Sequence, residues 1–262
     1  MSNSATARTS TTASSTNSAS NPAAEHEIVD ISTRQDVQNH PLSWGSPSAD
    51  GPEPDQPAES QLSDRSRPLE IVACGALAGH IREIASRRGW RVTVRPLAAA
   101  LHNRPQHIKS NAERLVEAAQ ASGAKAVLAY ADCGTYGALD DLAAKVGVSR
   151  LPGLHCYDLY AGEAAIEQLF AEEPGTYLLT DYLIKSWQRS VIEPLGLDRH
   201  PELWTDYFGH YTRLVWLSQE ATPDLEKQAT RIAQRFNLPL TCVPTGTRRL
   251  EEALAPLIEP PL

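Results

Sequence analysis

The sequence predicts an α/β protein with a mostly parallel, Rossmann-like open sheet and helices on both of its faces. Two observations predict this class. Short apolar runs that end at turn residues alternate along the chain with segments whose apolar residues recur at helical spacing. The segments between these runs are long enough to hold crossover helices, which connect parallel strands. Because ligands gather at the carboxyl ends of such strands, the residues after each strand are the candidates for a site.

The first 67 residues differ in composition from the rest of the chain. They combine a Ser/Thr/Ala/Asn tract with scattered Pro, Gln and charged residues, and they hold nine acidic against four basic residues. This composition cannot bury enough apolar surface to form a core, so it predicts a disordered tail over residues 1–67. We therefore expect one α/β domain over residues 68–262.

Composition excludes several classes of function. The tail holds five of the eight net negative charges, and the remaining, mildly acidic domain is a poor binder of nucleic acid. Apolar runs reach neither the length of a membrane-spanning helix nor the pattern of a secretory signal, so we expect a cytoplasmic protein without a membrane partner. The four cysteines form no CxxC pair, which leaves packing, metal binding or thiol chemistry rather than a disulfide scaffold.

The first half of the domain holds four strand-then-helix units. Three strands are apolar or alternating runs bounded by turn residues, and a short segment that leads to His155 forms the fourth. The three runs are residues 69–73, 90–97 and 125–133. Each helix has apolar residues three or four apart and ends at a glycine. The helices run over residues 77–89, 106–123 and 139–147, and an irregular stretch covers residues 98–105.

The second half continues the alternation and includes one long irregular stretch. Thr222 followed by Pro223 is a helix cap followed by a proline at the first helical position, which marks a helix start. Strands are predicted at residues 176–180, 213–217 and 238–243, and helices at residues 163–170, 183–191, 222–236 and from 247 onward. Residues 197–211 are dense in aromatic side chains, and long loops of this kind are usually functional or oligomeric.

Three cysteines follow predicted strands, each beside a glycine or a histidine. Cys74, Cys133 and Cys156 are far apart in sequence, but parallel strands bring their carboxyl ends to one edge of a sheet. Three thiolates with one imidazole, from His102 or His155, form a soft site that suits zinc or, alternatively, an iron–sulfur cluster. We expect zinc first, because a Cys₃His set completes a tetrahedron.

Other residues at the same edge are candidates for chemistry. Arg104 and Asp181 are expected to position a substrate or handle protons, and Asp132 is a catalytic candidate beside Cys133. Gly75 and Gly134 follow strands and precede helices, so their backbone amides are candidates for binding the anionic part of a cofactor, although neither segment completes a dinucleotide or phosphate-binding motif. The alternative for any cysteine is a packing role, which we assign to the fourth one, in segment 238–243.

In combination, these motifs resemble the bacterial and archaeal family catalogued as domain of unknown function 1638. The motifs that carry the resemblance lie at residues 73–77, 101–105, 132–134, 151–157, 179–181 and 198–203. The resemblance covers essentially the whole domain, but it implies no specific reaction. Relatives that accompany corrinoid-dependent methyl-transfer systems add a corrinoid protein to the expected partners and zinc-thiolate methyl transfer to the expected reactions.

The sequence therefore predicts a metal-dependent enzyme that acts on a small molecule, with oligomer formation left open. A metal carrier or sensor without catalysis is one alternative, and it would have a closed site with no adjoining pocket. Thiol chemistry is the other, with one cysteine acting as nucleophile or redox centre and His155 lowering its pKa.

A shortened chain that begins at Arg67 is expected to melt at the same temperature as the full-length protein. The reason is that a tail of this composition adds no packing to the domain. Differential scanning calorimetry of the two chains measures this. A drop of several degrees on removal of the tail would show that the tail docks on the domain.

Overall fold

The computed structural model describes residues 67–259, and residues 1–66 and 260–262 lie outside the described part of the chain. Apart from Arg67, the predicted disordered tail falls on residues that are not described, so it stays a prediction. Arg67 is tied to the domain, because its guanidinium donates hydrogen bonds to the carbonyl oxygens of Gly123 and Ala124. The domain therefore includes the residue that we assigned to the end of the tail.

The described strands form two parallel sheets. The first has the order β2-β1-β3-β4, and the second has the order β5-β6-β7. The strands of the first sheet are β1 (Leu69–Cys74), β2 (Val92–Leu97), β3 (Lys125–Ala129) and β4 (Ser149–Arg150). Those of the second are β5 (Thr176–Thr180), β6 (Arg213–Ser218) and β7 (Leu240–Pro244). The predicted parallel α/β class is confirmed, with a Rossmann-like alternation of strand and helix, but the strands divide into two sheets.

Helices connect these strands along the described chain. They are α1 (Ala78–Arg88), α2 (Ile108–Ala121), α3 (Ala138–Val146), α4 (Asp158–Ala161), α5 (Glu163–Glu172), α6 (Asp181–Lys185), α7 (Trp204–Phe208), α8 (Pro223–Phe236) and α9 (Arg248–Ile258). As the cap signal predicts, the Thr222 hydroxyl accepts a hydrogen bond from the backbone N of Leu225 at the start of α8. Within residues 67–259, no helix has the length and apolar character needed to cross a membrane.

Three local predictions need correction. Residues 98–105 are not irregular, because they contain the 3₁₀ turns Ala99–Asn103 and Pro105–His107, and the stretch 197–211 likewise contains α7. The strand predicted to reach Cys133 ends at Ala129. The short strand predicted before His155 is present, but it ends at Arg150. Apolar composition continues beyond both of these strands, so composition alone could not show where the ladder of backbone hydrogen bonds ends.

Each sheet is buried at its centre. Ile71, Val72 and Leu128 are fully buried on β1 and β3, and Leu214 and Leu217 are fully buried on β6. Inner strands of a parallel sheet are covered by helices on both faces, which explains why β1, β3 and β6 are continuous apolar runs rather than alternating ones. The carboxyl ends of β1 and β3 therefore leave a packed core and enter the turns that carry the candidate residues.

Gly75 allows two of these turns to approach each other. It follows β1, and a Cβ atom at this position would lie 2.6 Å from the carbonyl oxygen of Leu97 and 3.1 Å from the backbone N of Ala99. Only a residue without a side chain accepts this approach. The contact holds the 3₁₀ turn Ala99–Asn103 against the end of β1, and that turn carries His102.

Gly75→Ala is expected to lower the free energy of unfolding by about 1–3 kcal/mol, because backbone atoms must shift to make room for the methyl group. Gly79→Ala is the matched control, since a Cβ atom there would meet no neighbouring atom within 4 Å and the residue lies inside α1. That variant should be as stable as the parent or up to about 1 kcal/mol more stable. Urea unfolding measures both, and equal stability of the two variants would contradict this role for Gly75.

Candidate functional site

Three cysteines and one histidine form a cluster that we call the Cys/His cluster: Cys74, Cys133, Cys156 and His102. Cys74 is the last residue of β1 and is fully buried, with its Sγ 4.0 Å from Nε2 of His102. Cys133 is 8% exposed, and its thiol lies close enough to Cys156 and His102 for the three groups to shift one another's pKa values. Cys156 is half-buried. The structure thus brings together residues from the end of one strand, two turns and one 3₁₀ helix.

The orientation of His102 is set by the backbone. Its Nδ1 lies 2.8 Å from the carbonyl oxygen of Ala99, so Nδ1 carries a proton and donates it there. Nε2 is then the nitrogen that faces the cysteines. When the ring is neutral, Nε2 carries the free lone pair. The ring also stacks on Tyr130, with centroids 5.7 Å apart and planes at 20°. His102 is therefore held in the tautomer that a metal ligand or a proton acceptor needs.

Cys133 lies in a turn with an unusual backbone. Cys133 and Tyr136 have φ values of 51° and 52°, and Gly134 and Gly137 are left-handed as well. Residues with a Cβ seldom adopt this region, and such strain is concentrated at functional sites. Asp132 stabilises the turn, because its carboxylate accepts hydrogen bonds from the Thr135 hydroxyl and from the backbone N of Tyr136 and Gly137.

Hydrogen bonds inside the Cys/His cluster separate the pKa values of its thiols. Hydrogen bonding to Cys156 lowers the pKa of Cys133 to about 5. Burial opposes this shift, and His102 adds to it. The same bond raises the pKa of Cys156 well above its usual value, because Cys156 keeps the shared proton. Burial opposes the charge on His102, but hydrogen bonds with Cys133 and Cys74 raise its pKa to about 11. Near neutral pH the cluster holds a Cys133 thiolate, a His102 imidazolium and a Cys156 thiol.

Tyr130 is a member of the site that sequence reasoning missed. It is fully buried, and its hydroxyl has no hydrogen-bond partner among the described residues. Burial raises its pKa, and the neighbouring Cys74 and Cys133 raise it further, so the phenol stays protonated as a potential donor. In the sequence Tyr130 sits in an apolar run and looks like a strand residue. An aromatic hydroxyl just before a turn cysteine was the one available signal.

A cavity of about 250 Å³ adjoins the Cys/His cluster at His102 and Cys156. Its walls come from the 3₁₀ turn Ala99–Asn103, from the turn after β4, and from β5 and the segments that follow it. A second cavity, of about 450 Å³, lies beside the Cys133 turn and includes Asp132 and Arg150. The first cavity gives a small molecule direct access to two members of the cluster.

Two of the other predicted residues lie at the surface or apart from the cysteines. His155 stacks on Tyr157 at 6.5 Å, and no described contact joins it to a cysteine, so His102 is the histidine of the cluster. The Arg104 side chain is exposed and does not line the 250 Å³ cavity. Cys242 was expected to pack inside its strand, which is wrong, because its side chain is exposed on β7.

The remaining predicted residues shape the fold around the cluster. The Asp181 carboxylate is buried and accepts hydrogen bonds from the Trp216 indole and from the backbone N of Gln219 and Glu220. Hydrogen bonds also lower the pKa of Asp132 against the opposing effect of burial. Gly134 is left-handed and packs near Pro105, so it forms a turn. These residues make structural contacts of the kind that hold loops in place.

The spacing of the Cys/His cluster is looser than that of a bound metal site. Among residues 67–259, no group of three or more His, Cys, Asp or Glu side chains is placed so that it could hold a metal ion. Two ligands of one tetrahedral zinc, at about 2.3 Å for sulfur and 2.1 Å for nitrogen, lie about 3.5 Å apart. The distance from Cys74 to His102 is 4.0 Å. In this arrangement the side chains form a thiolate–imidazolium cluster that would have to contract to bind a metal.

Comparison with known proteins identifies one family. A family model described as protein of unknown function (DUF1638) matches residues 78–254, which is more than half of the chain. Three members of the cluster lie inside the matched range, and Cys74 lies just before it. No curated protein and no solved structure matches the chain.

The Cys133 thiol of chelator-treated protein is expected to ionise near pH 5. Its folded pKa lies below the ordinary value of 9.0, so its thiolate stabilises the fold at high pH, and this contribution is lost as the pH falls through about 5. Ultraviolet thiolate absorbance should show a step near pH 5 that Cys133→Ser removes and His102→Asn moves upward. Cys242→Ser should keep the step. If the parent protein shows no absorbance step below neutral pH, the interaction of Cys133 with Cys156 and His102 would be contradicted.

Proposed function

The chain belongs to the DUF1638 family, and we propose that its Cys/His cluster binds a zinc ion that takes part in a reaction of a small molecule held in the 250 Å³ cavity. The observation that carries this proposal is the number of thiols around one oriented imidazole. A thiolate–imidazolium pair needs one thiol and a disulfide needs two. Cys74, fully buried against the same imidazole, adds a third thiol that neither of these arrangements uses.

The chemistry of the donor set fits zinc. Thiolates and an imidazole nitrogen are the ligands of Cys₃His zinc sites, and zinc would supply a Lewis acid that activates a bound thiolate or water. His102 presents Nε2 because Ala99 engages Nδ1. The lowered pKa of Cys133 means that this thiol loses its proton readily, and metal ligation requires that loss. An iron–sulfur cluster on the three cysteines is the alternative cofactor, and elemental analysis separates the two.

Binding requires the cluster to contract by about half an ångström between Cys74 and His102. Both His102 and Cys133 lie in turns rather than inside strands. Turns are more mobile than the hydrogen-bonded ladder of a central strand, so His102 and Cys133 are the residues that would move when the cluster contracts. Tyr130 supports the same proposal, because a Cys74 thiolate would give its buried hydroxyl the acceptor that it lacks.

Thiol chemistry is the second candidate, and the backbone of Cys133 favours it. A reactive residue in a strained turn between a strand and a helix is the arrangement of a nucleophile elbow. The Cys133 thiolate would attack an electrophile beside the His102 imidazolium, and Cys156 would stand next to it as a resolving thiol. A carrier or sensor without catalysis is less well supported, because a cavity adjoins the cluster.

The proposal extends to the surroundings of the protein. Three unpaired thiols in one site stay reduced in the cytoplasm, so we place the chain there. Among reactions of zinc-bound thiolates, methyl transfer with a corrinoid protein as partner is the one that the family resemblance suggests.

Cys74→Ser, Cys133→Ser and Cys156→Ser are each expected to lower zinc content and stability together. Each loses one soft ligand, and the binding free energy of a structural metal is part of the folding free energy. We expect at least a tenfold weaker affinity for zinc, about 1.4 kcal/mol or more. Elemental analysis of anaerobically purified protein and thermal unfolding measure the two effects, and Cys242→Ser is the matched control that should change neither.

The opposite pattern would select the second candidate. If all three serine variants kept the parent's metal content, or if the parent bound no metal, the metal proposal would be wrong. Rapid and selective reaction of Cys133 alone with iodoacetamide would then support thiol chemistry.

A further inference from the structure

The walls of the 250 Å³ cavity that lie away from the Cys/His cluster carry no formal charge. Among the described residues that line it there is no Asp, Glu, Lys or Arg. The lining residues with polar side chains are Tyr157, Tyr177, Tyr182, Thr180, Ser190 and Asn103, beside His102 and Cys156 at the cluster end. The other walls are alanine, leucine and valine side chains. Away from His102, a charged ligand would therefore lose its hydration without meeting an opposite charge, and the His102 imidazolium is itself paired with the Cys133 thiolate.

The three tyrosine hydroxyls are available as hydrogen-bond donors. None of them has a hydrogen bond to another residue within the described part of the chain. By contrast, the Thr180 hydroxyl already accepts from the backbone N of Leu183, and the Ser190 hydroxyl donates to Ser186. A phenol is neutral at physiological pH and donates one hydrogen bond. The cavity thus offers donors to a ligand that carries acceptors.

We propose that this cavity binds an uncharged small molecule with at least one hydrogen-bond acceptor, such as a carbonyl, ether or hydroxyl oxygen. The tyrosine hydroxyls hold the acceptor, and the opposite end of the molecule lies against Cys156 and His102. This inference rests on the proposed function in one respect only, which is that the end of the ligand beside Cys156 and His102 is taken to be the end that reacts. A volume of about 250 Å³ lies below the range of about 300–1,000 Å³ for drug-sized ligands, so the ligand is a small metabolite.

An organic cation held on the aromatic faces is the competing ligand class. Cations bind over the faces of tyrosine rings. The Tyr177 ring is already packed among other rings, with centroids 4.9 Å from Tyr211 and 5.3 Å from Phe236. Tyr157 is likewise stacked with His155. The rings of Tyr157 and Tyr177 are therefore engaged inside the protein, whereas their hydroxyls have no described partner, which favours an uncharged ligand.

Charge selectivity at Cys156 tests this inference with three thiol reagents. Methyl methanethiosulfonate is neutral, and its sulfonatoethyl and trimethylammonioethyl analogues are anionic and cationic. The full-length protein is treated with each, as purified and after chelator treatment, and peptide mass spectrometry gives the rate at each cysteine. Each rate is divided by that of free N-acetylcysteine. At Cys156 we expect the neutral reagent to react at least about tenfold faster than either charged one. The exposed Cys242 should show much weaker selectivity.

Two variants at the rim of the cavity calibrate the measurement. Ala100 lines the cavity, and its side chain is exposed, so Ala100→Lys and Ala100→Glu keep the fold. Ala100→Lys should increase the rate of the anionic reagent at Cys156, and Ala100→Glu should increase the rate of the cationic reagent there. Neither variant should change the rates at Cys242. Three results at Cys156 of the parent protein would each overturn the inference. They are a charged reagent reacting fastest, all three reagents reacting equally, and no reaction with the neutral reagent. Metal content, measured on the same samples, decides the proposed function separately.

Discussion

The site depends on the hydrogen bonds that join the turns after β3 and β4. The backbone N of Asp132 donates to the carbonyl oxygen of Gly153 at 3.0 Å, and that of Cys133 donates to Leu154 at 2.7 Å. These bonds join the two turns beyond the ends of both strands. They hold the Cys133 turn beside the Cys156 turn, so two thiols that are 23 residues apart in sequence come close enough to shift each other's pKa values in opposite directions.

A second constraint brings the imidazole to the thiols. The close approach of Gly75 to the end of β2 positions the turn Ala99–Asn103, and the carbonyl oxygen of Ala99 orients His102 toward Cys74. Neither contact involves a chemically active group. The reactivity of the cluster therefore depends on backbone geometry, through an absent Cβ and a single carbonyl oxygen.

Burial makes the cluster an unusual feature of this core. Unpaired buried polar groups cost about 1–3 kcal/mol each, and apolar residues of the same size would avoid that cost. The thiols of Cys133 and Cys156 and the imidazole of His102 satisfy one another, whereas the Tyr130 hydroxyl remains without a partner in the described structure. A core that keeps such groups has them available for a ligand, and this is the physical basis shared by the metal proposal and the thiol proposal.

The sequence by itself determined the class and most elements, because helical spacing, caps and apolar runs are local properties. The strand predicted at residues 176–180 and the helix from the Thr222 cap to residue 236 lie where their patterns indicate. Only the tertiary structure decided that the strands form two sheets, that His102 rather than His155 meets the cysteines, and that Asp181 is occupied by three donors. Each of these depends on contacts between residues distant in the chain, which no local pattern encodes.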